Sequence, residues 1–271
     1  MTGTHDVDSL VETLYSDGIV ACRGAFTPDW ADRLGEDVDV LLQEALARPD
    51  GAIGRGPNRY YVEIHPERIR GFQDLVTHPW VVDLATAVLG PDYQVVEIGF
   101  DVPLPGAVTQ PWHRDFPAPR ETVEDRRLTS LALNVTTVDT VPEMGPFEIA
   151  PGTQWDDATE FDHGMFPPKS LYPRYEALVQ RKMPQRGDIS ARSALTIHRG
   201  TPNRSRSARP VLVLGLAAGG VENDRNDLVV SRAYYEQLPE EVRTRLGCRI
   251  VDRLEPLAQK HTIEGLVMGA E

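Results

Sequence analysis

Residues 189–219 read ISARSALTIHRGTPNRSRSARPVLVLGLAAG. Two runs rich in Ile, Leu, Val and Ala, 189–199 and 209–219, flank a segment of Gly, Pro, Asn and Ser. Apolar runs of this length bounded by turn residues read as β-strands joined by a loop. The same texture extends upstream. YQVVEIGFDV (93–102), LTSLALNVTTV (128–138) and GPFEIAP (145–151) are further short runs, and PLPGA, PEMGP, APGT, QRGD and RGTPN separate them. Many short strands punctuated by turns predict a β-sandwich or barrel.

Helical patterns flank this core. VDSLVETLYS (7–16) has apolar residues at helical spacing, and GIVACRGAF (18–26) reads as a strand closed by Gly24. TPDWADRLGEDVDVLLQEALA (27–47) opens with Thr27 as N-cap and Pro28 at the first helical position. Its Trp30, Leu34, Val38, Leu41 and Leu42 recur every three to four residues. RPDGAIGRGPN (48–58) reads as a loop, and HPWVVDLATAVLG (78–90) as a helix ended by Gly90. Residues 152–183 read as a long loop with one short helix, and SRAYYEQLPEEVRTRL (231–246) as a helix. The expected architecture is mixed and mainly β, in one domain. It has a helical N-terminal part (about 1–91), a β core (about 92–219) and a helical C-terminal extension (about 220–271).

The 271 residues carry 28 basic and 41 acidic side chains, a formal charge of −13. That balance disfavours nucleic acid and anionic membranes as partners. No run is long and apolar enough to predict a membrane span, and the first ten residues lack the pattern of a secretory signal. Cys22 and Cys248 alone make neither a zinc framework nor a disulfide scaffold, so they read as inert thiols of a cytoplasmic protein.

QPWHRDF (110–116) places His113 and Asp115 two residues apart. On an extended segment these side chains share a face and can share one metal. An H-x-D pair is weak by itself. Its third ligand must come from His5, His65, His78, His163, His198 or His261. His5 and His261 lie in polar ends. His65 and His78 precede prolines, as turn or helix-start residues do. His163 falls in the irregular loop. His198 ends an apolar strand and fits an edge or core role as well as a ligand role. Arg209 opens the next strand eleven residues later, and its guanidinium suits a carboxylate in bidentate fashion. Two His and one carboxylate on one face of an octahedron form the site of non-haem Fe(II) oxygenases.

WHRD (112–115), GPFEIAPGT (145–153), RGD (186–188) and HRGTPNRS followed by Arg209 occur in an order and spacing that resemble the phytanoyl-CoA dioxygenase family of Fe(II)- and 2-oxoglutarate-dependent oxygenases. Asn203, Ser205 and Arg209 match family offsets of five, seven and eleven after the distal His, and DGIVACRGAFTPDWADRL (17–34) resembles the family opening. The resemblance implies a double-stranded β-helix, or jelly roll, with flanking helices. It implies His113, Asp115 and His198 as iron ligands and Arg209 as the 2-oxoglutarate anchor, with Asn134 in the cosubstrate pocket. Arg199 stands where the family often has Gly, and Gly200 where it has a hydroxyl; Thr201 is the residue expected to supply that hydroxyl instead. No lysine upstream of the H-x-D pair matches the one some members use.

The implied chemistry uses Fe(II), 2-oxoglutarate and O2, releases succinate and CO2, and by default hydroxylates a small molecule such as a secondary metabolite or amino-acid derivative. Desaturation, epimerisation and ring formation need only different substrate placement. Asp115 argues against halogenation, which replaces this carboxylate by a small residue. Expected substrate contacts are Arg59, Tyr60, Phe116, Trp155 and Phe166. A non-catalytic jelly-roll binding module and a zinc hydrolase on the same ligands are the competing readings; Arg209 favours the oxygenase.

Overall fold

The computed structural model describes residues 6–220 and 228–259; His5 and His261 lie outside them. Helix α1 (Val7–Asp17) starts on the Asp6 side chain, which accepts from the Ser9 amide, and stops at Gly18 in the left-handed region. Strand β1 (Ile19–Cys22) follows. Helix α2 (Pro28–Leu46) is capped by Thr27, whose hydroxyl accepts from the Trp30 amide. Strands β2 (Ile53–Gly54) and β3 (Arg59–Glu63) form a hairpin. Helices α3 (Phe72–Val76) and α4 (Pro79–Leu89) lead to β4 (Gln94–Pro103). Short α5 (Arg120–Asp125) precedes β5 (Ser130–Thr136) and β6 (Phe147–Ile149). After α6 (Tyr172–Leu178) come β7 (Gln180–Lys182), β8 (Ile189–Arg192), β9 (His198–Gly200) and β10 (Val211–Ala217). The last described elements are β11 (Val229–Ser231), α7 (Arg232–Gln237), α8 (Glu240–Arg243) and β12 (Arg249–Val251).

Seven strands form one antiparallel sheet in the order β1-β8-β5-β10-β4-β3-β2, and three form a small sheet, β7-β6-β9. The two sheets make the jelly-roll core. Alternation along the strands gives the large sheet two chemically different faces. Leu131, Leu133, Leu212, Leu214, Ile98 and Phe100 point outward and join Trp30, Leu34, Trp80 and Leu84 of the helices in one core. The opposite face carries Asn134, Ser190, Arg192, Asp101 and Arg59, which line a cavity of about 960 Å³ between the sheets.

Three expectations are corrected. The N-terminal part holds more strand than expected, because β2 and β3 join the foreseen β1 in the large sheet. Strand β2 lies inside the segment 48–58 expected as a loop, and in β3 Arg59 and Glu63 face the cavity while Val62 joins the core. The run 189–199 is two strands on different sheets, β8 and β9. The chain turns at Ser193–Ile197, where the Ser193 hydroxyl accepts from the Leu195 amide and Thr196 donates to the Gly18 carbonyl. The helix over 231–246 breaks into α7 and α8 because Leu238, preceding Pro239, is extended (ψ 144°).

Candidate active site

The segment that follows β4 meets strand β9 of the small sheet at an isolated backbone bridge between two histidines. The His113 amide donates to the His198 carbonyl (3.0 Å) and the His198 amide to the His113 carbonyl (2.9 Å). This places the rings side by side, 4.4 Å between centroids. Asp115 follows two residues on, its amide tied to the Ala194 carbonyl. One donor atom from each of His113, Asp115 and His198 lies within 4.8 Å of the others, and they are the metal-compatible cluster among the described residues.

Each imidazole is oriented from behind. His113 Nδ1 lies 2.8 Å from the Pro111 carbonyl, and His198 Nδ1 lies 2.8 Å from the Thr196 carbonyl. A carbonyl only accepts, so Nδ1 carries the proton and Nε2 presents its lone pair inward. Burial holds both rings below the ordinary imidazole range, His113 strongly, aided by the neighbouring His198 and Arg192 respectively. Neutral rings are what a cation requires. Burial alone would raise the Asp115 carboxyl; Arg192, 2.6 Å from its Oδ2, and His198, 3.3 Å from its Oδ1, reverse the direction and hold it well below the usual carboxylate range. The set is two neutral imidazoles and one carboxylate on one side of a point, which fits Fe(II) and leaves further positions for exogenous ligands.

The cavity also contains buried polar atoms with no hydrogen-bond partner: Nε of Arg209, Nε of Arg59 and Oδ1 of Asn134. Arg209 is 4% exposed and has no ion-pair partner among the described residues. Burial, and then Arg59 beside it, push its guanidinium down to about 10, against the opposing pull of Asp101. An orphaned cation of this kind, in the cavity that holds the triad, fits the far carboxylate of 2-oxoglutarate. Asn203 and Ser205 do not face the cavity. Asn203 bonds Pro103 and Ser207 and accepts from Ser205, forming the turn that delivers Arg209.

The structure sorts the other expected site residues. Arg59, Phe116 and Phe166 line the cavity, and Phe166 lies 6.0 Å from the His113 ring. Arg59 is held by Gln110 Oε1 (2.7 Å), by Asp101 (3.6 Å) and against Gly200. A Cβ at Gly200 would fall 1.8 Å from the Arg59 guanidinium, which accounts for glycine where the family has a hydroxyl. Three expectations are corrected. Thr201 does not line the cavity; its hydroxyl donates to the Pro146 carbonyl (2.7 Å). Trp155 packs beside Tyr15, its indole N–H donating to the Tyr15 carbonyl. Tyr60 points to the opposite face of β3 and packs on the helical core. Arg199 lies outside the cavity too, paired with Glu148 and Glu176 over the Trp112 ring. His65 and His78 bond backbone carbonyls away from the site, and His163 is half exposed.

Sequence reasoning missed Arg192 and Gln110. An arginine inside an otherwise apolar strand was the available signal for the first. Gln110 opens the H-x-D segment itself, and its Oε1 ties Arg59 to the Gly200 amide (2.9 Å).

The family pattern described as phytanoyl-CoA dioxygenase (PhyH) matches residues 14–211. Among solved structures, AviO1 from Streptomyces viridochromogenes Tue57 is similar at 21% identity and TM-score 0.59, over 82% of this chain and 99% of that one. SnoK, a non-haem α-ketoglutarate-dependent carbocyclase from nogalamycin biosynthesis, is similar at 17% and 0.61, over 80% and 87%. EctD from S. alaskensis, solved with 2-oxoglutarate and 5-hydroxyectoine, is similar at 16% and 0.61, over 76% and 74%. At these identities the likeness to the solved structures is one of fold.

Proposed function

The chain belongs to the phytanoyl-CoA dioxygenase family of Fe(II)- and 2-oxoglutarate-dependent oxygenases, and on that premise we propose that it hydroxylates a C–H bond of a small organic molecule. Bound Fe(II) and 2-oxoglutarate supply the activation of O2, with succinate and CO2 as co-products. In this reading His113, Asp115 and His198 hold the iron and Arg209 the far carboxylate of the cosubstrate. Arg59 and Asn134 complete the cosubstrate pocket.

The observation that carries the proposal is the sharing of one cavity by a three-ligand set and an unpartnered buried arginine. Arg192 keeps Oδ2 of Asp115 occupied, so a single carboxylate oxygen faces the metal position. Phe147 and Phe166 flank the histidine rings and exclude water from that side. The cavity volume suits a small molecule beside the cosubstrate. Asp115 fills the place a halide would need, which favours hydroxylation over halogenation.

Anaerobic addition of Fe(II) and 2-oxoglutarate to the metal-free protein is expected to give a weak visible charge-transfer band from bidentate cosubstrate on iron. His198→Ala is expected to abolish it with the fold intact by circular dichroism. A folded wild-type protein with no band would overturn the proposal.

A further inference from the structure

The cavity that holds the triad carries a second set of charges, which the iron and 2-oxoglutarate assignments leave unused. Tyr61 of β3 lies against the sheet, 3% exposed, and its hydroxyl donates to Glu97 Oε1 on β4. Two glycines make room for this pair. A Cβ at Gly99 would fall 2.7 Å from the Tyr61 hydroxyl, and one at Gly215 would fall 2.9 Å from Glu97 Cβ. The Arg55 guanidinium covers the Tyr61 ring at 4.2 Å. No carboxylate of the described residues pairs with Arg55, although Glu97 stands at the far end of the same ring. The guanidinium is thus held over the ring face by cation–π attraction, and Arg55 lines the cavity. Glu97, half-buried, keeps Oε2 for a donor.

Resting on the oxygenase reading above, we propose that this platform recognises the organic substrate as a small zwitterion. Arg55 receives its carboxylate in bidentate fashion and Glu97 accepts from its ammonium group. Charges of opposite sign, one held on the face and one at the hydroxyl of the same tyrosine ring, match an amino-acid-like molecule. They also leave the remainder of the substrate to extend toward Phe116 and Phe166 beside the metal position. The Tyr61 ring acts as a positioning group: it holds Arg55 by its face and Glu97 by its hydroxyl.

The test is calorimetric titration of the anaerobic Fe(II)–2-oxoglutarate protein with the common α-amino acids, their primary amides and their N-acetyl derivatives. At least one free amino acid is expected to bind more tightly than both derivatives by about tenfold to a hundredfold, the range of a charge-assisted hydrogen bond. Arg55→Ala is expected to erase the preference over the amide, and Glu97→Gln the preference over the N-acetyl form. Arg120→Ala, which removes an equal charge from exposed helix α5, is expected to change neither. No binding by any free amino acid, equal binding of a derivative, or a preference that survives its variant overturns the assignment. The charge-transfer band separates the two readings: its absence in wild type sinks the oxygenase proposal, while its presence without these preferences sinks only the zwitterion platform.

Discussion

At the scale of single residues, the site depends on charges kept apart from water and therefore on their partners. Asp115 stays ionised in a buried place because Arg192 sits 2.6 Å away. Replacing Arg192 by methionine keeps much of the volume and removes the partner. The carboxylate is then free to turn, and Fe(II) affinity is expected to fall about tenfold to a hundredfold, the usual effect of losing a group that orients a metal ligand. Fluorescence or calorimetric titration with Fe(II) under argon checks this, and unchanged affinity would mean the backbone alone fixes Asp115. Arg209→Ala has a different signature. It is expected to raise the 2-oxoglutarate concentration needed for the charge-transfer band by at least about tenfold while Fe(II) binding stays within about twofold. An unchanged requirement would assign the anchor to Arg59. The triad and Arg209 were legible because they sit in local motifs with fixed offsets. Arg192, Tyr61 and Glu97 were not, because their meaning depends on which strands become neighbours.

At the scale of elements, local signals fixed what they control and failed where partners across the sheet decide. Thr27 and Pro28 announce α2 without help from the rest of the chain, and Thr27→Ala is expected to cost about 1 kcal/mol in denaturant unfolding. By contrast, β2 vanished into the loop read over 48–58 because Gly and Pro surround its two residues, and β8 and β9 looked like one strand because the turn between them is built of Ser and Thr rather than Gly and Pro. The motif residues that did mark the fold are structural. Asp188 of RGD accepts from the Gly24 and Gln185 amides, pinning the end of β1 beside β8. Gly145 opens the GPFEIAPGT segment at φ +72°, where a Cβ would lie 2.4 Å from the Thr201 carbonyl oxygen. Gly145→Ala therefore meets both left-handed strain and a backbone clash that no rotamer relieves. It is expected to cost about 3 kcal/mol or more, several times the loss of the α2 cap, and the same unfolding experiment ranks the two.

At the scale of the whole molecule, a chain of net charge −13 encloses a cavity lined by several arginines, Arg55, Arg59, Arg192 and Arg209 among them. The metal-free protein stores two histidines that the fold keeps neutral, both below the ordinary value of 6.5. The unfolded chain binds those protons more readily, so acid favours unfolding. This part of the stability is fully present above about pH 6.5, where the rings are neutral in both states. It is lost as the pH falls from there toward the folded-state values. Asp115 acts with the same sign at lower pH: its folded carboxyl is depressed, so its contribution is present above the ordinary value of 3.8 and lost below it. Thermal unfolding of the metal-free protein is thus expected to show a falling Tm from pH 7 to pH 5, and His113→Ala to flatten that slope. Fe(II) binds only the neutral rings, so the metal is expected to raise Tm most at neutral pH, by an amount equivalent to about 2.7 kcal/mol at a hundredfold excess over its Kd. The increment should shrink as protons compete below about pH 6.5. A stabilisation by Fe(II) that is independent of pH, or one that persists in His113→Ala, would place the metal elsewhere on the acidic surface.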